Sequence, residues 1–349
     1  MKQTHYKHIL VSRTDGLGDL ILSLPVFQTL KATYAQASIT ALVNPYTADL
    51  IRNCPFIDSI QSYVPTMSMH QVLHQFRQSK FDLYIALFPR PVLAWASWQS
   101  GIATRVGTAY RWYSIFFNKK IYVHRSECLR HESDYNLDAL RILGIHNMKT
   151  NITISLPKKD RDYATQLLKI KKISKMRKLI IIHPGSKNSA LNWNEHRYRD
   201  IIFQLCKNKK LQVLLTGSPP EKKLIVDILK GLPILPKAQV PAVIAGETTM
   251  LQLAAVLQHA DCFVSSSTGP MHLAAAMKIP TVSLFGPVAT TTPVRWGPLG
   301  NVHRIFMPEH VECYQCLKGQ CKQHDVMDQI PVSKVFKTVL DLVHLHNDL

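Results

Sequence analysis

The chain has 349 residues, enough for two domains, and 46% of them are hydrophobic, as in ordinary folded proteins. Lysine and arginine number 42 against 23 acidic residues, and the net charge of +19 favours anionic partners such as nucleic acid, an anionic membrane face or phosphorylated substrates. No apolar run approaches the roughly 18 residues of a membrane-spanning helix, and the first residues lack an export signal, so we expect the protein to stay where it is made. Seven cysteines, an odd number, predict reduced thiols rather than a disulfide framework.

The first half of the chain alternates short apolar runs with longer amphipathic ones. Strands are predicted at residues 8–13, 38–44 and 81–88, and one helix is predicted at residues 18–34. Strands that alternate with helices indicate parallel βαβ units.

A basic segment at residues 157–178 separates the two halves and predicts a helix followed by a connector. The alternation then restarts, with helices predicted at 195–206 and 249–260 and strands at 179–183, 211–216, 262–266 and 280–285. The predicted fold class is therefore α/β, with two doubly wound domains that face a central cleft. Ligands of such sheets bind beyond the carboxyl ends of the strands, so the loops there are the candidate sites.

The first candidate loop joins the first strand to the first helix. Gly16 and Gly18 let the backbone turn tightly and approach a ligand. Asp15 and Asp19 are candidate catalytic carboxylates, and the alternative is that they only stabilise the helix N-terminus. The loop is not a dinucleotide-binding G-x-G-x-x-G motif, because Ile21 occupies the position of the third glycine.

The second candidate loop follows a strand that ends in serines and opens a helix. Ser267 and Thr268 supply hydroxyls, and Thr268 is a suitable helix cap. Gly269 permits close approach, and Pro270 suits the first helical turn. The loop therefore predicts an anion site at a helix N-terminus, with His272 within reach of a phosphate. The alternative is a well-capped helix with nothing bound and a packed core histidine.

Two further loops in the second half follow predicted strands. Ser186 and Lys187 offer a hydroxyl and a cation, which suit phosphate, and the alternative is an ordinary surface loop. Glu221 offers a carboxylate that can accept hydrogen bonds from ribose hydroxyls.

Residues 83–126 contain no Asp or Glu, but they contain cations interleaved with aromatic side chains. That combination suits an anionic lipid headgroup or a phosphorylated glycolipid, with Arg105 and Arg111 as candidate contacts. The alternative is a core segment with a solvated basic face.

Four residues near the C-terminus have nearly the spacing of a zinc site: Cys313, Cys316, Cys321 and His324. Free thiols in a loop are the favoured interpretation. The sequence therefore predicts neither a metal nor another cofactor.

In chain order, these loops resemble those of glycosyltransferase family nine, the lipopolysaccharide heptosyltransferases. The resemblance rests on R-x-D-x-x-G-D-x-x-x-x-x-P at residues 13–25 and on H-P-G-S with a following Trp at 183–193. It rests above all on S-T-G-P-M-H-L-A-A-A at 267–276, followed by P-T-V-S-L-F-G-P at 280–287.

The resemblance implies a GT-B fold of two Rossmann-like domains. It implies acceptor binding by residues 1–165, with Asp15 and Gly18 on the acceptor side, donor binding by residues 178–330, and a last helix within 331–349 that crosses back to the first domain. The family's catalytic aspartate falls on Asp19, as the general base of an inverting transfer. Its nucleotide contacts fall on Ser186, Lys187, Glu221, Thr248, Thr268, Gly269 and His272.

The implied reaction moves L-glycero-D-manno-heptose from ADP-heptose to the lipopolysaccharide inner core. The implied acceptor is a phosphorylated glycolipid, reached by peripheral binding at the cytoplasmic face of the inner membrane. Nucleic acid is not an expected partner, because the charge permits it but no recognition motif supports it.

Two alternatives stay open: a transferase of a different nucleotide-sugar in cell-envelope glycan synthesis, and a catalytically impaired relative that still binds one. Both are motivated by departures from the family pattern. Leu191 stands where relatives often have Lys, and Ser267 stands where they often have Asp.

Overall fold

The computed structural model describes residues 5–187, 189–309 and 324–345 of the chain. It divides the chain into two compact units, of which the first ends at Ser155 and the second begins at Leu156. Each unit contains a six-stranded parallel sheet with helices, which confirms the predicted α/β class.

The N-terminal unit has the strand order β3-β2-β1-β4-β5-β6. Its strands are β1 (His8–Arg13), β2 (Ser38–Val43), β3 (Ser59–Ser62), β4 (Leu83–Ala86), β5 (Thr104–Thr108) and β6 (Lys119–Ile121). Because the order reverses between the neighbours β1 and β4, the loops that follow these two strands open the crevice in which such sheets bind ligands.

The helices of this unit are α1 (Leu17–Ile21), α2 (Leu24–Thr33), α3 (Pro45–Ala48), α4 (Met69–Gln78), α5 (Pro91–Gln99) and α6 (Glu132–Arg141). The single helix predicted at residues 18–34 is wrong, because the chain is interrupted between α1 and α2. Pro25 in the first turn of α2 has no N–H to donate to the carbonyl of Ile21, and its ring crowds that turn. Between the two helices, the hydroxyl of Ser23 donates a hydrogen bond to the Leu20 carbonyl at 2.7 Å.

The C-terminal unit repeats the same order with its own strands, β12-β11-β10-β7-β8-β9. These strands are β7 (Lys178–His183), β8 (Leu211–Leu215), β9 (Ala242–Val243), β10 (Cys262–Ser266), β11 (Thr281–Leu284) and β12 (His303–Phe306). Here the order reverses between β7 and β10, which pair directly, with Ser265 opposite His183.

The helices of this unit are α7 (Lys158–Ile170), α8 (Glu195–Lys207), α9 (Lys222–Lys230), α10 (Met250–Leu257), α11 (Gly269–Ala276), α12 (Pro293–Trp296) and α13 (Val332–Leu345). The basic segment forms α7, which packs on α10, and the Tyr163 hydroxyl donates to the Glu247 carbonyl at 2.6 Å. The structure therefore assigns α7 to the second unit, whereas residues 1–165 were predicted to belong to the first.

The last helix, α13, also belongs to the C-terminal unit. Its apolar face, including Val335, Val339 and Leu342, is buried in the core formed with α8 and the central strands. The resemblance implied that this helix crosses back to the first domain. It packs on the second unit instead, because burying its apolar face in that core is favourable.

Within the part of the chain that the structure describes, every helix is too short or too polar to cross a membrane.

Candidate functional site

Arg13, the last residue of β1, lies at the centre of a buried cluster of charges in the N-terminal unit. Only 2% of its side chain is exposed. Its Nε donates to Asp15 Oδ1 at 2.9 Å, and its Nη2 donates to Asp19 Oδ1 at 2.5 Å. One guanidinium therefore holds both predicted carboxylates at the carboxyl end of β1.

Helix α6 supplies the remaining partners of Arg13. Its Nη1 donates to Asn136 Oδ1 at 2.8 Å and to Glu132 Oε1 at 3.2 Å. Glu132 also accepts from Arg125 Nη1 at 2.7 Å. The sequence motifs do not include these three residues. The available signal was a glutamate and an asparagine four positions apart, which lie on one face of a helix.

The electrostatics of the cluster distinguish the two aspartates. Burial raises the pKa of Asp15 to about 7, and the charge of Asp19 adds to this rise while Arg13 opposes it. The buried surroundings therefore favour the protonated form of Asp15 more than water would. Asp19 is the more exposed side chain, at 24% against 16%, so it is the one that an incoming hydroxyl reaches more easily.

Steric crowding explains why position 16 is a glycine. A Cβ added to Gly16 would lie 2.8 Å from Asp19 Oδ2. The close approach that the sequence predicted is therefore to the aspartate of the same loop, and Gly18 lies buried within α1.

In the C-terminal unit, the loop after β10 leads into α11 as predicted. Thr268 precedes the helix in an extended conformation, and its side chain makes no capping hydrogen bond. Its hydroxyl is buried without a hydrogen-bond partner among the described residues. Gly269 and Pro270 begin the first turn, in which Pro270 has no N–H and the Met271 N–H donates to the Thr268 carbonyl at 3.1 Å, so the Gly269 N–H is the donor at the helix end. His272 is buried one turn later, and its ring lies 6.5 Å from that of Trp296.

The loop after β7 meets the loop after β8 through a histidine and a glutamate. His183 Nδ1 lies 3.0 Å from Thr216 Oγ1, and its Nε2 lies 3.8 Å from Glu221 Oε2. Burial lowers the pKa of His183 to about 4 although Glu221 opposes this shift, so the ring is neutral at physiological pH. Glu221 Oε2 accepts from the Ser218 N–H and hydroxyl, both at 2.7 Å. Glu221 lies so close to Gly185 that a Cβ there would collide with its carboxylate.

The other predicted donor residues lie around the same edge of the sheet. Ser186 is half-buried, and Lys187 is exposed with a left-handed φ of 47°. Thr248 is half-buried and follows β9, an edge strand. Because β9, β8, β7 and β10 are successive neighbours, these loops share one carboxyl edge with Thr268.

Asn192, which the sequence motifs do not include, stabilises the long loop after β7 through hydrogen bonds. Its amide nitrogen donates to the Pro184 carbonyl, and its Oδ1 accepts from the Ser266 hydroxyl and, at 2.5 Å, from the Tyr198 hydroxyl. The loops after β7 and β10 are thus tied to each other beside the predicted anion site.

The two arginines predicted on the acceptor side have different environments. Arg105 Nε donates to the Phe116 carbonyl at 2.7 Å, and its Nη1 donates to the Ile102 carbonyl. These bonds use two of the three guanidinium nitrogens, so Arg105 holds backbone in place. Arg111 is exposed and immediately precedes the short 3₁₀ turn Trp112–Phe116. No hydrogen bond or ion pair among the described residues joins either arginine to the Arg13 cluster.

Large apolar side chains are exposed around that 3₁₀ turn. Trp112 is 74% exposed, Ile115 is 72% exposed and Tyr122 is 70% exposed. Between the first two, Tyr113 is buried and its hydroxyl donates to the Pro89 carbonyl at 3.0 Å. We call Trp112, Ile115 and Tyr122 the aromatic face of the N-terminal unit.

The side chains of the four residues with nearly the spacing of a zinc site lie outside the described part of the structure. This applies to Cys313, Cys316 and Cys321, and to the side chain of His324. Among the residues that the structure does describe, no group of three or more His, Cys, Asp or Glu side chains is placed to hold a metal ion.

Comparison with known proteins identifies the family. The sequence profile of glycosyltransferase family 9 (heptosyltransferase) matches residues 69–327. A Haemophilus influenzae protein described only as a glycosyltransferase is 31% identical over 314 residues, which are 86% of this chain and 89% of that one. Lipopolysaccharide heptosyltransferase 3 of Escherichia coli K12 is 26% identical over 80% of this chain and 82% of its own. The chain belongs to glycosyltransferase family 9.

The fold of this glycosyltransferase agrees with that assignment. The structure of the E. coli ADP-heptose lipopolysaccharide heptosyltransferase II is similar, with a TM-score of 0.79 at 20% identity over 98% of this chain and 99% of that one. The enzyme therefore has the GT-B fold that the resemblance implied.

The structure describes the surroundings of Leu191 and Ser267, the two departures from the family pattern. The Leu191 side chain lies against Gly286, where an added Cβ would be 2.9 Å from Leu191 Cβ, and it packs on the core of the C-terminal unit. Ser267 is half-buried, and its N–H donates to the Leu284 carbonyl at 2.9 Å. An apolar side chain in contact with the core therefore occupies the position of the family's lysine.

The Arg13 cluster generates a stability prediction. Glu132→Gln removes a buried carboxylate from between Arg13 and Arg125, so we expect a loss of about 2–4 kcal/mol in the free energy of unfolding. Asp134→Asn is the matched control on the same helix, because Asp134 pairs with Arg130 and Arg141 while 35% exposed, and it should cost less than about 1 kcal/mol. Urea unfolding of both variants measures the difference. Equal losses would show that the Arg13 cluster does not stabilise the N-terminal unit.

Proposed function

We propose that this glycosyltransferase moves L-glycero-D-manno-heptose from ADP-heptose to the lipopolysaccharide inner core, with inversion at the anomeric carbon. The acceptor is lipid A–Kdo or a heptosyl residue already on it. The observation that carries the proposal is the pair of carboxylates, Asp15 and Asp19, held by one buried guanidinium at the carboxyl end of β1.

Asp19 acts as the general base. It takes the proton from the acceptor hydroxyl while that oxygen attacks the anomeric carbon, and ADP leaves from the opposite side of the sugar. Arg13 fixes the position of Asp19 through the hydrogen bond at 2.5 Å, and Glu132 and Asn136 in turn fix Arg13. Proton transfer thus needs no rearrangement of the base before the attack.

The C-terminal unit binds the donor in this proposal. The Gly269 N–H at the N-terminus of α11 and the Thr268 hydroxyl bind the diphosphate, as helix N-termini do in many phosphate sites. Ser186 and Lys187 contribute a hydroxyl and a positive charge, which offsets the charge of the leaving ADP. Glu221 accepts hydrogen bonds from the ribose hydroxyls.

The donor nucleotide is supported by the relatives rather than by the geometry alone. The E. coli enzyme with the similar fold is named as an ADP-heptose transferase. Leu191, packed on Gly286, favours a second candidate, the transfer of a different nucleotide-sugar, because the lysine common in the family is absent. Calorimetry with ADP-heptose, other ADP-sugars, UDP-sugars and GDP-sugars decides between the two, since only the true donor should bind tightly.

The acceptor side is supported by charge and by the aromatic face. Residues 83–126 have no acidic side chain, and Trp112, Ile115 and Tyr122 are exposed among cations that include Arg111. Aromatic rings with cations suit the interface of an anionic bilayer. We place the enzyme peripherally at the cytoplasmic face of the inner membrane, where a phosphorylated glycolipid acceptor would lie.

The role of the base can be tested by Asp19→Asn. The amide keeps the shape but cannot take the proton, so turnover should fall by about 100- to 10,000-fold while ADP affinity stays near normal. Turnover is measured as ADP release, and affinity by calorimetry. If Asp19→Asn turns over normally and Asp15→Asn is inactive, Asp15 is the base.

The donor site can be tested by Gly269→Val. A branched side chain in the first turn of α11 would push into the space of the diphosphate. It should weaken ADP and ADP-sugar binding together by about 1–3 kcal/mol, the value of one or two charge-assisted hydrogen bonds. Calorimetry measures this loss, and Asp19→Asn serves as the reciprocal control that loses rate but keeps affinity. Unchanged ADP affinity in folded Gly269→Val would place the nucleotide elsewhere.

Membrane binding can be tested on the aromatic face. The double variant Trp112→Ser with Ile115→Ser should sediment several-fold less with vesicles that contain anionic lipid, because two exposed apolar anchors are lost. Ile234→Ser is the matched control, since Ile234 is fully exposed on the other unit and outside the basic stretch. An equal loss in both proteins, or none in the double variant, would exclude this face as the anchor.

A further inference from the structure

Arg90 lies beside the catalytic loop, although nothing in the sequence motifs places it there. It follows β4, which pairs with β1 at the point where the strand order reverses. Its Nε donates to Thr14 Oγ1 at 3.1 Å. Thr14 is the residue between Arg13 and Asp15, so the guanidinium is attached to the loop that carries both carboxylates.

The orientation of the Arg90 guanidinium is fixed before any ligand binds. Its central carbon lies 4.9 Å from the centre of the Phe88 ring and 5.8 Å from the centre of the Tyr63 ring. These two rings and the bond to Thr14 position the half-buried side chain. Binding through it therefore costs little of the side-chain entropy that a solvated arginine would lose.

The two terminal nitrogens of Arg90 have no hydrogen-bond acceptor and no ion-pair partner in the ranges 5–187, 189–309 and 324–345. By contrast, Arg13 is surrounded by carboxylates and Arg105 is bound to backbone carbonyls. No acidic residue occurs in its own stretch of chain, 83–126, to neutralise it. A held guanidinium with both terminal nitrogens open is the geometry that binds an oxyanion through two hydrogen bonds.

We infer that Arg90 binds an oxyanion of the acceptor, either a phosphate or a sugar-acid carboxylate, close to the hydroxyl that Asp19 deprotonates. The inference rests on the proposed function, in which the loop after β1 receives the acceptor. Arg90 then selects acceptors by charge: the anion aligns the sugar so that its hydroxyl faces the base. A neutral glycan of the same shape binds weakly.

The test compares acceptor binding by the full-length enzyme and by Arg90→Gln and Arg90→Lys, in the absence of donor. The probe is lipid A–Kdo glycolipid in three forms: untreated, dephosphorylated and carboxyl-reduced. We expect Arg90→Gln to weaken binding of the untreated form about 10- to 100-fold, and Arg90→Lys to lie between, because lysine keeps the charge but loses the paired donors. ADP affinity should not change in either variant.

The treated glycolipids identify the anion. The glycolipid form that lacks the recognised anion should bind to the wild-type enzyme as weakly as untreated glycolipid binds to Arg90→Gln. With that form, Arg90→Gln should bind no more weakly than wild type. The matched control is Arg77→Gln, which removes one exposed cation from the same unit away from this loop. It should leave all three affinities within about twofold of wild type.

The outcomes separate the inference from the proposed function. The inference is overturned if Arg90→Gln binds untreated glycolipid as wild type does, or if it loses affinity equally for all three forms. Circular dichroism and ADP affinity verify that the variants are folded. If Arg90→Gln does not fold, Arg90→Lys is the variant that tests the inference. ADP release from ADP-heptose is measured separately: its absence with every acceptor contradicts the proposed transfer, while the binding comparison still decides the role of Arg90.

Discussion

The buried positive charge of Arg13 is the constraint on which the candidate active site depends. A cation with 2% of its side chain exposed is tolerated only where carboxylates and amides replace its lost hydration. The chain provides them from α1 and its preceding loop on one side and from α6 on the other. The requirement to satisfy one guanidinium therefore fixes the relative position of segments about 120 residues apart in sequence. The same requirement holds Asp15 and Asp19 in place at the end of β1.

Both units follow the same structural rule. Each sheet reverses its strand order beside its first long strand, at β1 in one unit and at β7 in the other, and the loops with chemically useful side chains follow those strands and their neighbours. In the first unit these loops carry Asp15 and Asp19 beside the buried Arg13, and in the second they carry hydroxyls, backbone N–H groups, Lys187, Glu221 and a neutral, buried His183. In the proposed function, the loops of the first unit serve proton transfer and the loops of the second unit serve donor binding.

The sequence predicts the features that depend on local pattern. Strands β1 and β10 are buried on both faces, each contains a run of three apolar residues, and both predictions were confirmed. By contrast, β5 and β6 are short, half-exposed and carry cations, so periodicity does not indicate them. In the site, Asp15 and Asp19 follow from their loop, but Glu132 and Arg90 reach it only through tertiary packing. Arg105 was predicted as an acceptor contact, but it binds two backbone carbonyls. The sequence cannot distinguish these cases, because a cation in an acid-free stretch looks the same whether it faces solvent or binds carbonyls.

The hydrogen bond from Tyr113 to the Pro89 carbonyl has a geometric consequence. It joins the turn that presents Trp112 and Ile115 to the residue next to Arg90, and Arg105 braces the same turn from the other side. The exposed side chains of Trp112 and Ile115 and the Arg90 guanidinium are therefore linked through hydrogen-bonded segments of the same unit. In the proposed membrane binding, a bilayer that takes up Trp112 and Ile115 would set one distance between the lipid and Arg90. The enzyme would then act on sugars at one distance from the lipid, and the length of the glycan would become a criterion of selection independent of its chemistry.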